Sequence, residues 1–260
     1  MKTKKTIAMI LMMLMVSSIM APISVQAATA PSCVNSSSCK THPNGHVPAV
    51  YYTAPRSEPT IGDGKSNPSH IVARCQTMLY NLGYTSVGNP DGLWGTNTRN
   101  AVLQFQEKYK STLGAPDGLV GTKTWNKLYD LANPRTLVIK TANFNQSEWK
   151  CSHCSALPEW GIHKKLLEQL ETLRTKLGNK ALVIDSGYRC AERNQIRRNS
   201  DNEVSLTSNH MLGTAADIRY TTAPTLVSCN EIATKAKTIF VAPRGSVLTY
   251  STFRVHVDIK

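Results

Sequence analysis

The sequence predicts a two-part α+β chain: a small helical bundle followed by an α+β domain with a small antiparallel sheet. Three observations point there. An internal echo, Asp91-Gly92-Leu93-Trp94-Gly95-Thr96-Asn97-Thr98 against Asp117-Gly118-Leu119-Val120-Gly121-Thr122-Lys123-Thr124, repeats after 26 residues, the length of one helical unit used twice. Pro134-Arg135 then interrupts the pattern. Beyond it a long helical stripe is followed by short apolar runs of strand length, the mixture expected of an α+β domain.

At 260 residues the chain has room for two modest domains and a tail. Its start reads as a secretory signal peptide over residues 1–27. Lys2, Lys4 and Lys5 precede an apolar run from Ile7 to Val16, and Val25-Gln26-Ala27 has the small-residue pattern of a cleavage site. The run is shorter than the ~20 residues a spanning helix needs, so no membrane association is expected after cleavage. Residues 28–66 are rich in Ser, Pro, Thr, Asn and Gly and read as a linker or mobile arm.

The helical module should run from 67 to 132. Ile71, Cys75, Met78, Leu79 and Leu82 recur at helical spacing up to Gly83. In each copy of the echo, Asp-Gly makes a turn, an apolar residue plugs the core and Gly-Thr leads into a helix. Those helices carry Ala101, Val102 and Phe105 in one copy, and Trp125, Leu128 and Leu131 in the other.

In the second part, Ile162, Leu166, Leu170, Leu173 and Leu177 form a stripe ending at Gly178. Ala181 to Ile184 is a short buried strand that delivers Asp185-Ser186-Gly187-Tyr188-Arg189 at its end. Residues 195–207, polar and basic, read as a surface loop. Ala215–Tyr220 reads as a strand, Leu226 to Phe240 as a helix, and Val247–Tyr250 and Phe253–Ile259 as two more strands.

Cleavage after residue 27 removes three lysines from a formal +13, leaving +10. Such a protein is drawn to anionic surfaces, the bacterial wall among them. Nucleic acid is the weaker reading, because the basic residues are scattered and not interleaved with aromatics. Seven cysteines follow the leader, and an odd count leaves at least one unpaired within the chain. Cys33 with Cys39 and Cys190 with Cys229 are trial pairings that spacing does not fix. Cys151-Ser152-His153-Cys154 has the form of half a structural zinc site. With no second CxxC or paired histidine motif in the sequence, it reads rather as a disulfide or a loop thiol.

Chemistry concentrates in Ser208-Asn209-His210-Met211-Leu212-Gly213-Thr214-Ala215-Ala216-Asp217 and in Arg254-Val255-His256-Val257-Asp258-Ile259. Two imidazoles and one carboxylate form a zinc set that leaves a position for water. Strand alternation puts Arg254, His256 and Asp258 on one face. Polar groups turned inward among Val255, Val257 and Ile259 demand a partner, and a metal centre supplies one.

Two stretches resemble known families. Gln76-x-x-Leu79-x-x-Leu82-Gly83-Tyr84, Asp91-Gly92-Leu93-Trp94-Gly95, Ala101-Val102-x-x-Phe105-Gln106 and Asp117-Gly118-x-x-Gly121-x-x-Thr124-Trp125 together resemble the three-helix peptidoglycan-binding domain. Ser186-Gly187-Tyr188-Arg189, Ser208-x-His210-x-x-Gly213-x-Ala215-x-Asp217 and Val255-His256-Val257-Asp258 resemble the zinc D-alanyl-D-alanine carboxypeptidase family, whose metal fold is shared with hedgehog- and lysostaphin-type domains. Asn143-Phe144-x-x-Ser147-Glu148-Trp149-x-Cys151 is similar to the segment that opens that catalytic domain, here 140–260.

The resemblance implies zinc bound by His210, Asp217 and His256, with Arg189 meeting a carboxylate or carbonyl of the substrate and Ser208 touching substrate or orienting its loop. It implies peptidoglycan as partner, cut at a D-alanyl-D-alanine terminus or at an internal stem or cross-bridge bond; with the signal peptide this makes a secreted, wall-associated protein, taken as a monomer by default. Loss of activity with retained wall binding is the alternative of a different class. Several relatives carry an acid three residues before the last ligand, where this chain has Phe253. Asp258 takes the general-base role in our reading, or else holds His256 from behind. Glu203 is a weaker candidate base.

Overall fold

The computed structural model describes residues 56–259 apart from 201–204, 206, 207, 223 and 244. The signal-peptide reading, most of the 28–66 arm, Cys33, Cys39 and Glu203 lie outside the described residues. Among the described residues, no helix is long and apolar enough to cross a membrane.

The first domain packs α1 (Ser69–Asn81), α2 (Thr96–Lys108) and α4 (Thr122–Ala132), with a single-turn α3 (Lys110–Leu113) after α2. Their stripes meet in one core that includes Ile71, Met78 and Leu79 of α1, Ala101, Val102 and Phe105 of α2, and Trp125, Leu128 and Tyr129 of α4. On α4 the buried residue near the end is Ala132, while Leu131 is only partly covered.

Two buried glutamines organise the echo. Gln76 donates to Asp91 Oδ1 at 2.8 Å, to the Leu93 carbonyl and to Thr98, and accepts from the Gly92 N–H. Gln106 makes the same set with Asp117, Leu119, Thr124 and Gly118. Each glutamine thereby satisfies a tight Asp-Gly turn from inside the core, where an unpaired polar group would cost about 1–3 kcal/mol.

The domain also starts earlier than expected. Residues placed in the mobile arm pack against it: Ile61 is fully buried and pairs with Val120, and Glu58 lies buried beside Arg74 and Tyr129. The Ser/Pro/Thr-rich composition of 28–66 masked this segment, because one apolar side chain and one paired carboxylate anchor it rather than any periodic stripe.

The second domain has a four-stranded antiparallel sheet of β1 (Leu182–Ser186), β2 (Ala215–Tyr220), β3 (Gly245–Thr249) and β4 (Val255–Ile259), in spatial order β1-β2-β4-β3. Helices α5 (Lys164–Lys176) and α7 (Leu226–Ala236) cover one face. Alternation divides each central strand cleanly. Ala216, Ile218, Val255, Val257 and Ile259 join Leu166, Leu170, Leu173, Ile232 and Ala236 in the core; Asp217, His256 and Asp258 project from the opposite face. Truncating a fully buried member such as Leu170 to alanine costs about 2–5 kcal/mol.

Two expectations are corrected. Half of the predicted 195–207 loop is helical: α6 spans Ala191–Ser200. Ala, Glu, Gln and Arg form helices without an apolar stripe, so polarity alone did not indicate a loop. The trial pairing of Cys190 with Cys229 fails as well. Cys229 sits on α7 in the main core with its thiol aimed at the Arg254 carbonyl, whereas Cys190 lies with Cys151 and Cys154 in a separate cluster.

The domains are sutured together. Asn81 at the end of α1 donates to the Ile162 carbonyl at 2.9 Å and accepts from the Lys164 N–H at 2.8 Å, clamping the start of α5. Tyr80 stacks on His163 and bonds Glu168. Trp160, from the second domain's sequence, is buried in the core of the first beneath Arg74.

Candidate metal centre

β2 and β4 pair so that Asp217 stands directly opposite His256. His210 arrives from a 3-10 turn, Asn209–Leu212, just before β2. Gly213 ends that turn in the left-handed region, with φ +73°. A Cβ there would lie 3.0 Å from the Gly161 carbonyl, so the tight return that brings His210 over the sheet requires glycine.

Three ligand atoms converge. His210 Nε2 lies 3.2 Å from Asp217 Oδ1 and 3.2 Å from His256 Nδ1, and the Asp217–His256 separation is 2.9 Å. Every outward atom of the triangle has a partner. His210 Nδ1 donates to the Gly187 carbonyl at 2.6 Å, leaving Nε2 as a lone pair. His256 Nε2 donates to Asp258 Oδ2 at 3.2 Å, leaving Nδ1 as a lone pair. Asp217 Oδ2 accepts from Arg189 at 3.0 Å. Lone pairs facing inward and hydrogen bonds fixing the ring tautomers from outside form the arrangement of a metal-binding His₂Asp set.

The electrostatics match. Burial alone would raise the Asp217 pKa, but the His210 and His256 imidazoles beside it hold its carboxyl well below the usual range. Burial pushes His210 down, only partly offset by Asp217. Burial would also lower His256, yet Asp217 and Asp258 on its two nitrogens raise it. A divalent cation among these atoms would meet two lone pairs and a carboxylate held in its charged form.

Arg189 follows a close approach of two backbones. A Cβ on Gly187 would meet the Trp149 backbone at 2.7 Å, and the Tyr188 N–H donates to the Trp149 carbonyl at 2.8 Å. Arg189 lines a polar cleft of about 330 Å³ that also contains Asp217, Tyr250, Arg193, Arg197 and Arg254. Asp185, on the same stretch as Arg189, does not pair with it but with Arg219 and Arg254.

Asp258 is buried and accepts from both His256 and Ser246 Oγ, the latter at 2.6 Å. It contacts the imidazole nitrogen that faces away from the triangle. Ser208 begins the His210 turn, its carbonyl accepting from the Met211 N–H, and is not among the cleft-lining residues. Tyr250 was passed over in the sequence: it closes the β3–β4 hairpin by bonding to the Arg254 carbonyl and sets its ring edge-on to His256. The hairpin spacing before Val255 was the signal that could have found it.

Comparison with known families bears on this geometry directly. Residues 136–258 match Peptidase M15. Residues 70–128 match a putative peptidoglycan binding domain. A search of curated proteins finds no match to the chain. The M15 match spans Arg189, the ligand triangle and Asp258. M15 peptidases are typically zinc-dependent, and the His₂Asp set offers that chemistry. A peptidoglycan-binding module ahead of an M15 domain supports a metallopeptidase that acts on peptidoglycan.

Proposed function

We propose that the chain is an exported zinc D-alanyl-D-alanine carboxypeptidase acting on peptidoglycan stem peptides, with zinc held by His210, Asp217 and His256. The carrying observation is the cleft beside the triangle, where Arg189, Arg193, Arg197, Arg254 and Lys150 outnumber the lining acids Glu148, Asp185 and Asp217. Concentrated guanidinium charge is matched to a substrate ending in a free carboxylate. An internal bond presents no such charge.

Held by His210, Asp217 and His256, zinc would supply Lewis-acid polarisation of a scissile carbonyl and activation of water near neutral pH. The chain's residues do the rest. The Gly187 carbonyl and Asp258 hold the two imidazoles in the tautomers that leave a lone pair inward. Arg189 fixes Asp217 and keeps further N–H donors for the terminal carboxylate or the developing oxyanion. We assign Asp258 the role of positioning His256 rather than of taking the proton from water, because its contact is to the nitrogen behind the ring. Tyr250, on the cleft wall, is assigned as a hydrogen-bond donor to the bound peptide. Ser208 orients the His210 loop.

The test is incubation of the purified mature chain with isolated peptidoglycan, with and without a chelator, followed by mass spectrometry of the released products. Chelator-sensitive loss of one terminal alanine is the expected result. Internal stem or cross-bridge cuts would make it an endopeptidase, and intact wall that retains the protein would reduce it to a binding protein.

A further inference from the structure

A second cluster of metal-type donors lies outside the catalytic triangle. The Sγ atoms of Cys151, Cys154 and Cys190 lie within 4.8 Å of one another, and all three residues are at most 2% exposed. The third sulfur was invisible in the sequence, because it comes 36 positions after Cys154 and at the end of the Ser186–Arg189 motif. His153, inside the CxxC itself, places Nδ1 3.5 Å from Cys190 Sγ.

We propose that Cys151, Cys154 and Cys190 bind a structural zinc ion, distinct from the catalytic one, with His153 beside Cys190 as the neighbouring imidazole, that rivets the segment after Trp149 to the turn carrying Arg189. Zn–S bonds of ~2.3 Å in a tetrahedron put neighbouring sulfurs roughly 3.8 Å apart, a spacing that fits inside the 4.8 Å span of these three Sγ atoms.

The backbone is built for thiolates. The Cys190 N–H points at Cys151 Sγ at 3.3 Å and the Arg193 N–H at Cys190 Sγ at 3.4 Å. Amides donating to sulfur stabilise its charged form, which is the ligand form. The 151–156 turn is closed by Cys151 N–H to the Ala156 carbonyl and Ser155 N–H to the Cys151 carbonyl, with Ser155 in the left-handed region at φ +56°. That strained turn aims two sulfurs at one point.

The alternatives fit less well. Three clustered thiols cannot all pair among themselves, so a disulfide strands one sulfur in a buried site. A redox-active CxxC needs an accessible sulfur, and these are covered by Ala156 and Tyr188. The consequence reaches the catalytic centre through one peptide bond: Cys190 follows Arg189, whose guanidinium holds Asp217.

The deciding experiment is elemental analysis of the full chain purified without chelator. Two zinc ions per chain are expected, falling to one in Cys190→Ser and to one in His210→Ala. With cobalt in place of zinc, thiolate-to-metal charge-transfer absorption should persist in His210→Ala and vanish in Cys190→Ser. Should Cys190→Ser not fold, alkylation and peptide mapping of the wild-type chain decide. Cys151, Cys154 and Cys190 should be protected before stripping the metal and all three alkylated after it. A single zinc per wild-type chain, a disulfide among these cysteines in the non-reduced map, or equal labelling before and after chelation would overturn the proposal. Because the readouts are stoichiometry and thiolate chemistry, they stand whatever bond the enzyme cuts.

Discussion

The indole N–H of Trp160 donates to the carbonyl of Leu212 at 2.8 Å, while its ring lies in the core of the peptidoglycan-binding domain. One side chain thus belongs to the packing of the first domain and to the turn that presents His210 in the second. Trp160 also meets Tyr188 edge-on, one residue before Arg189. Trp160→Phe should keep most of the packing and lose the hydrogen bond, at about 1–3 kcal/mol for the stranded carbonyl. Trp160→Ala should cost about 3–5 kcal/mol. Denaturant unfolding of both variants measures this. A phenylalanine variant as unstable as the alanine variant would show that the bond to Leu212 outweighs the packing.

Asp258 offers a sharper division. As the partner of His256 Nε2 it sets how well Nδ1 binds metal, and such partners typically alter affinity or activity 10–100-fold. Asp258→Ala should therefore weaken zinc binding by roughly that factor, with most activity returning when zinc is in excess. His210→Ala should stay inactive under any zinc concentration. A metal-saturated Asp258→Ala enzyme still reduced a thousandfold or more would instead make Asp258 the general base.

Arg189→Lys keeps a charge and discards the planar fork. Lost charge-assisted hydrogen bonding of about 1.5–3 kcal/mol corresponds to roughly 10–100-fold weaker recognition of a terminal carboxylate. The expected result is a raised KM on peptides with a free C-terminus and little change on amide-capped ones. An equal loss on both substrates would place Arg189 at the oxyanion or at Asp217 alone.

The convergence of His210, Asp217 and His256 was legible because strand alternation and a glycine-bounded turn are local patterns, and Asp217 and His256 needed only one strand pairing to meet. What long-range packing creates was not legible. Gln76 and Gln106 look like ordinary helix residues until the Asp-Gly turns fold onto them. Cys190 joins Cys151 and Cys154 only because Gly187 lets the Tyr188 backbone dock on Trp149. Glu58 and Ile61 read as arm because isolated anchors leave no period to detect. The second half of helix α6 reads as loop because its sequence has the charge of a surface but the propensity of a helix.

His163 gives the protein a built-in acid sensitivity. It caps α5 by accepting the Lys165 N–H on Nδ1, stacks on Tyr80 and is fully buried. Burial, with Lys165 adding to it, pushes its pKa down to about 3 from 6.5. Nε2 carries the proton and has no hydrogen-bond partner among the described residues, so charging the ring would mean protonating Nδ1 and breaking the cap. Between these two values the unfolded chain holds a proton that the folded chain does not, so stability falls as pH falls. The contribution is fully present above pH 6.5 and is lost toward pH 3, at about 1.4 kcal/mol per pH unit. His163→Asn preserves a capping acceptor and removes the titration. Its stability should be lower at neutral pH, and the wild-type advantage should shrink through pH 6 to 4 as the histidine resists protonation. Parallel stability–pH curves for the two proteins, measured by urea unfolding, would mean that His163 is reached by water in the native state and titrates there normally.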